Sequence, residues 1–451
     1  MSETRPTTTP DQVRRVRLGL GLAVVVLVVV AVVAMTIGDD DQRATTDGAS
    51  VAGSASDAPG PSTTAVSTTE RRPASTATAG SAPGTSTSGG TTGPGSTTAP
   101  PTSEAPTTTA PAGDCTPVEA IADWPLRRRL AALVMVGVDP SGTGEATEAV
   151  EDHHVGGLFV GGNPTGLLTS GALTDLRAAS PTGLMVSVDE EGGRVQRIEG
   201  LDGEVPSARE MAASMSAEEV RALAERRARV MAAHGITVDL APVVDVSDQP
   251  DGAVIGDRSW SNDPDVVVAY SRAYAEGLLA EGVTPVLKHF PGHGSSSGDT
   301  HDGSATTPSL DDLRSSDLVP YEALVPELGP RTGVMLGHLD VPGLTEPDTP
   351  TSLSPATVAL LRDDYGFSGV IMTDDLSAMA AITDRFGVAE AAVRALAAGV
   401  DMVLFAGTDV GGLLDHLEGA VANGDLAEAA LDASVARTMV LKGIDPCTVE
   451  L

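Results

Sequence analysis

Lysine is nearly missing from this chain: Lys288 and Lys442 are the only two, and arginine supplies the remaining positive charge. Acidic residues outnumber basic ones by 62 to 28, a formal net charge of -34. Phosphate binding takes clustered cations, so the balance argues against nucleic acid or an anionic membrane as ligand and reads as a solubilising surface. Large apolar side chains are almost missing between about Asp40 and Ala112, where Thr, Ser, Gly, Pro and Ala dominate. Such a stretch buries too little to offset its chain entropy, so no core is expected there. Cysteine is reduced to Cys115 and Cys447, and none stands near the N-terminal apolar run, which argues against a lipid-modified N-terminus.

That run, residues 18–37, is uncharged and rich in valine, and about 20 such residues span ~30 Å as a helix. Arg14, Arg15 and Arg17 precede it, and Asp39, Asp40 and Asp41 follow. Positive charge on the N-terminal flank puts residues 1–17 in the cytoplasm and everything after the run outside. The expectation is a single-pass membrane anchor with an extracytoplasmic domain. The alternative is a signal peptide, cleaved near Val32-Val33-Ala34, which would release a secreted protein. Residues 38–114 read as a disordered stalk, of a composition that carries O-linked sugars or serves as a plain spacer. Residues 115–451 are left as one folded unit, large for a single domain but ordinary for an α/β barrel. Outside a membrane, two cysteines at the ends of one domain suggest a disulfide between Cys115 and Cys447, and a closed barrel would bring those ends together.

Eight short apolar runs recur in that unit, at 133–138, 157–160, 184–188, 237–240, 285–289, 334–338, 370–373 and 401–405. Uninterrupted apolar strands suit a sheet buried on both faces. Residues 217–233, 264–281 and 389–398 carry apolar positions at helical spacing between them. Strand and helix alternating eight times predict an α/β fold, a (β/α)8 barrel of the TIM type. Several runs end in Asp189, Asp239, Lys288 and His289, His338 or Asp374, and the C-terminal strand ends of such barrels form the active site.

The richest motif is Lys288-His289-Phe290-Pro291-Gly292-His293-Gly294, then residues 295–298, then Asp299-Thr300-His301. His289 and His293 are four apart, but Pro291 and Gly292 break any helix that would turn this spacing into a metal pair. The motif reads instead as a cationic strand end feeding a mobile Gly- and Ser-rich loop. Asp299 stands two residues before His301, close enough to orient and polarise the imidazole as a general acid/base. A second strand ends in Asp374-Asp375: Asp374 at the strand end is the reactive candidate, and Asp375 could be a helix N-cap. Third, Asp189-Glu190-Glu191 precedes Gly192-Gly193, whose freedom permits a tight turn, and Arg194 to Arg197 follow. Three acids would repel an anion, whereas sugar hydroxyls accept Asp and Arg as partners. Arg258 lies in a fourth block, and the nearby Trp260 could pack on a sugar face or fill the core.

Taken together, these motifs resemble glycoside hydrolase family 3, and within it the single-domain β-N-acetylglucosaminidases. The blocks KHFPGHG at 288–294, Asp189–Arg197, 255–259 and 373–377 occur in the family's order and at similar spacing, across essentially all of 115–451. The resemblance implies Asp374 as nucleophile and Asp299–His301 as a dyad in which His301 is the acid/base. It implies Asp189, Arg197, Arg258, Lys288 and His289 as the residues that hold the sugar. Ser295-Ser296 stand where members commonly carry Asp-Thr, and Thr300 where Ser is common, while the distance from Gly294 to the dyad is kept. Two-domain members draw an acid/base Glu from a domain after the barrel; with the chain ending at Leu451, the acid is expected from the barrel's own loops.

The expectation is thus a retaining hydrolase that removes terminal N-acetylglucosamine (GlcNAc), working as a monomer without cofactor or metal on peptidoglycan-derived sugars. Two readings compete. Phosphate in place of water as acceptor would make the chain a glycoside phosphorylase, releasing sugar 1-phosphate. A catalytically inactive barrel would be a wall-sugar-binding module, and an intact Asp374 and His301 argue against that.

Overall fold

In the computed structural model, residues 115–451 are described. The expected cytoplasmic tail (1–17), anchor (18–37) and stalk (38–114) lie outside them, and among the described residues no helix is long and apolar enough to cross a membrane. Eight parallel strands close into a barrel: β1 (Val134–Val138), β2 (Gly157–Val160), β3 (Met185–Val188), β4 (Val238–Asp239), β5 (Thr284–Phe290), β7 (Gly333–Leu336), β9 (Val370–Asp375) and β10 (Met402–Phe405). Each falls on one of the eight apolar runs. β1 closes the ring by pairing with both β2 and β10, Met135 lying opposite Gly157 and Leu404. The sequence did not suggest a small separate ribbon, β6 (Ala305–Thr306) beside β8 (Leu339–Asp340), which bridges two loops at the top of the barrel. Two-residue strands carry no period to read.

Alternation along the strands sorts their side chains into two packing layers. Met135, Met185, Val238, Val286, Met335, Val370, Met372, Met402 and Leu404 make a cluster drawn almost wholly from strands, which fills the lumen. Five of these are methionines, unbranched and able to fill a tapering interior. Their neighbours, such as Val134, Val186, Leu287, Val334, Ile371 and Val403, face outward into the larger core shared with the helices.

Local signals set the helices. Ser216 and Glu219 form a capping box that starts the helix Ala217–Ala233. Asp263 and Pro264 start Pro264–Ala280, and Gly399, in the left-handed region, ends Val388–Ala398. Trp260 is buried and stacks on Tyr270 with ring centroids 5.5 Å apart, so it fills the core and does not face a sugar. The Cys115–Cys447 disulfide is present, joining residues 332 apart in sequence.

Candidate active site

The C-terminal strand ends converge on a cavity of about 260 Å3. Asp189, Arg197, Arg258, Lys288, His289, His301 and Asp374 all line it, and Asp299 reaches it through His301. These residues come from four separate sequence blocks and four strand-to-helix connections. Barrel closure alone brings them together.

At one wall the charges are paired. Lys288, at the end of β5, donates from Nζ to Asp189 Oδ1 at 2.6 Å and contacts Glu191 Oε1 at the same distance. Arg258 grips Glu191 in bidentate fashion, at 2.7 and 2.9 Å. Burial alone would push the Glu191 carboxyl up, but Arg258 and Lys288 outweigh it and hold the acid well below the usual carboxylate range. Burial likewise pushes the Lys288 ammonium down, and Asp189 and Glu191 more than reverse the effect. Both groups are therefore ionised near neutrality. Arg197 is the less committed cation: Nη2 lies 4.0 Å from Asp189, and its buried Nε has no partner.

The three consecutive acids do not act as one acidic cluster. Glu190 turns away and pairs with the fully buried Arg227, while its Oε2 accepts from the N–H groups of Arg197 and Ile198 at 2.7 and 2.9 Å. Glu190 thus folds the turn through Gly192 and Gly193, both at positive φ, that carries Arg197 to the rim. Asp189 and Glu191 face the cavity already neutralised by cations.

Asp374 sits at the end of β9, half-buried. Burial alone would raise its carboxyl pKa; the facing His289 and His338, the Asp375 N–H at 2.9 Å and Lys288 together lower it below the ordinary value. The result is an ionised carboxylate facing the cavity. Asp375 is not an N-cap, because the next helix begins only at Ala380. Its Oδ1 accepts from Ser377 N and Oγ at 2.9 and 2.7 Å and from Ala406 N at 3.2 Å, which ties β9 to the loop after β10.

Specific contacts shape the loop after β5. Gly294 passes so close to Val246 that an added Cβ would meet its carbonyl oxygen at 2.0 Å. Ser297 exchanges two hydrogen bonds with Thr306, at 2.8 and 2.9 Å. At its end, Asp299 Oδ1 accepts from His301 N at 2.9 Å and faces His301 Nδ1 at 2.8 Å. The proton on Nδ1, assigned from this bond, leaves Nε2 as the free nitrogen. Burial alone would raise the Asp299 carboxyl, but its bonds to His301 lower it.

Asp245 escaped the sequence reading. It is buried, receives His293 N at 2.7 Å and faces His289 Nδ1 at 2.7 Å, so it fixes both histidines of the KHFPGHG block. A lone Asp inside the apolar segment 240–246 was the available signal, since a buried carboxylate must have partners.

A parallel (β/α)8 barrel with ionised carboxylates, a carboxylate-held imidazole and paired cations at its C-terminal mouth defines a TIM-barrel enzyme of polar-substrate chemistry. Residues 125–441 match the sequence pattern described as the glycosyl hydrolase family 3 N terminal domain. The chain is 51% identical over 328 residues to the β-hexosaminidase LpqI of Mycobacterium tuberculosis, covering 71% of this chain and 83% of that relative. A solved family 3 glycosyl hydrolase from Mycobacterium smegmatis shares 51% identity and a TM-score of 0.68, covering 71% of this chain and 98% of that one. A family 3 β-N-acetylglucosaminidase from Paenibacillus follows at 31% identity and a TM-score of 0.66, covering 71% and 62%. The chain belongs to glycoside hydrolase family 3.

Proposed function

We propose that this glycoside hydrolase is a retaining β-N-acetylhexosaminidase that removes nonreducing terminal GlcNAc. The observation that carries the reading is one cavity lined by a half-buried, ionised Asp374 and by His301, whose Nδ1 is held by Asp299. Asp374 attacks the anomeric carbon as the bond to the leaving oxygen breaks, and the Nε2–H of protonated His301 delivers a proton to that oxygen. In the second step Nε2 takes a proton from water, the water oxygen bonds to the same carbon, and Asp374 is released with net retention. Asp299 keeps the Nδ1 proton throughout. Asp189, Lys288, His289, Arg258 and Arg197 take the sugar's hydroxyl and acetamido groups, with Arg197 the cation whose bonding capacity is least used within the protein.

We place residues 1–17 in the cytoplasm, 18–37 in the membrane as anchor (or cleaved signal) and 38–114 as the stalk, with the barrel outside acting as a monomer on cell-wall fragments. The Cys115–Cys447 bridge supports an oxidising compartment. The test compares kcat/KM of the purified full chain on aryl GlcNAc and aryl glucoside. Polar groups arranged for an acetamido group are left unpaired by glucose, at about 1–3 kcal/mol each, so at least tenfold preference for GlcNAc is expected. Equal values would remove the GlcNAc assignment. Asp374→Ala should fall close to background, and near-normal turnover would refute the mechanism.

A further inference from the structure

The Asp299-Thr300-His301 stretch has an exposure pattern that neither flanking residue explains. The side chains of Asp299 and His301 are 36% and 56% exposed, yet Thr300 between them is 2% exposed. Its Oγ1 lies 3.3 Å from His293 Nε2, in the preceding motif, and 3.7 Å from Met379 Sδ. Its carbonyl accepts from Ala381 N at 3.0 Å, and the His301 carbonyl accepts from Ala380 N at 3.4 Å. Ala380 and Ala381 open the short helix after the strand that carries Asp374. His293 is anchored in turn: Asp245 accepts from its backbone N–H, and its Nδ1 faces Ser296 Oγ at 2.8 Å.

From this clasp we infer that Thr300 is a positioning residue, fixing His301 relative to Asp374 by docking the loop on His293 and on the 379–381 segment. The donors run in one direction. Ser296 Oγ–H donates to the Gly298 carbonyl at 3.0 Å, so Ser296 accepts from His293 Nδ1–H, and His293 Nε2 accepts from Thr300 Oγ–H. Burial pushes the His293 imidazole down, which keeps it in the neutral form this arrangement uses.

The inference rests on His301 being the acid/base, so the experiment carries both. Full-chain Thr300→Val keeps the shape and removes the hydroxyl; Thr300→Ser retains it; each is also made with His301→Ala. The substrates are a GlcNAc disaccharide, whose leaving group needs protonation, and 2,4-dinitrophenyl GlcNAc, whose leaving group does not. Misplacing a catalytic group costs up to about 100-fold, and Thr300→Val should lose about 10- to 100-fold in kcat/KM on the disaccharide. On the dinitrophenyl substrate kcat/KM should stay near normal, while kcat falls and is restored by azide, which needs no base to yield the glycosyl azide. Thr300→Ser should regain most of the loss, and Thr300→Val should cost nothing further once His301 is Ala. Equal loss on both substrates, or a full loss persisting in the His301→Ala background, would overturn the positioning role while leaving the acid/base intact. If His301→Ala itself spares the disaccharide, the acid/base reading fails and the inference with it.

Discussion

Glu191 links two cations at the cavity wall, and replacing it with Gln tests whether that charge pairing builds the site. Its side chain is 3% exposed, as is that of Lys288, and Arg258 is 14% exposed. Breaking a buried ion pair from one side costs about 3–5 kcal/mol, because the partner charge stays buried. Lys288 keeps Asp189 at 2.6 Å and the Gln carbonyl still accepts one bond, which places the change near the lower end, at about 3 kcal/mol. For a domain of this size the fall in Tm should be roughly 4 °C. Arg258 loses its bidentate anchor, so KM on aryl GlcNAc should rise. The folded pKa of Glu191 lies below its unfolded value of about 4.3, so its contribution is fully present above that pH and is lost as pH falls through the folded value. The stability gap between the two proteins, from urea unfolding, should be constant between about pH 8 and 5 and should narrow below about pH 4. A gap under about 1 kcal/mol with unchanged kcat/KM would refute the reasoning.

Two other outcomes follow. Reduction, or Cys115→Ser with Cys447→Ser, should lower stability by at most about 5 kcal/mol on the chain-entropy view of a long closed loop, with the exposed bridge open to dithiothreitol; unchanged Tm after verified reduction would deny it a stabilising role. Because Asp374 is held below its ordinary value of about 3.9, kcat/KM should hold on the acid side to below about pH 4 while circular dichroism shows the fold intact. An acid limb near pH 5 to 6 that persists in His301→Ala would mean that the surroundings do not stabilise the Asp374 carboxylate.

The sequence by itself determined the barrel, because strands buried on both faces are continuous apolar runs and their alternation with amphipathic helices admits few topologies. It also determined which residues stand at strand ends, and therefore that Asp189, Lys288, His289 and Asp374 share a mouth. The division of labour among neighbours came only from the tertiary structure. Glu190 and Glu191 are adjacent and chemically alike, yet one pairs with Arg227 to fold a turn and the other faces the cavity between Arg258 and Lys288. Partners 37 and 67 residues away make that choice, and no local period encodes them. The same holds for Asp245, which fixes two histidines more than forty residues downstream, and for Thr300. Its burial between two exposed catalytic candidates depends on a helix that begins near Ala380. Short-range pattern sets where a strand ends; the long-range contacts made when the barrel closes decide what the side chain there can do.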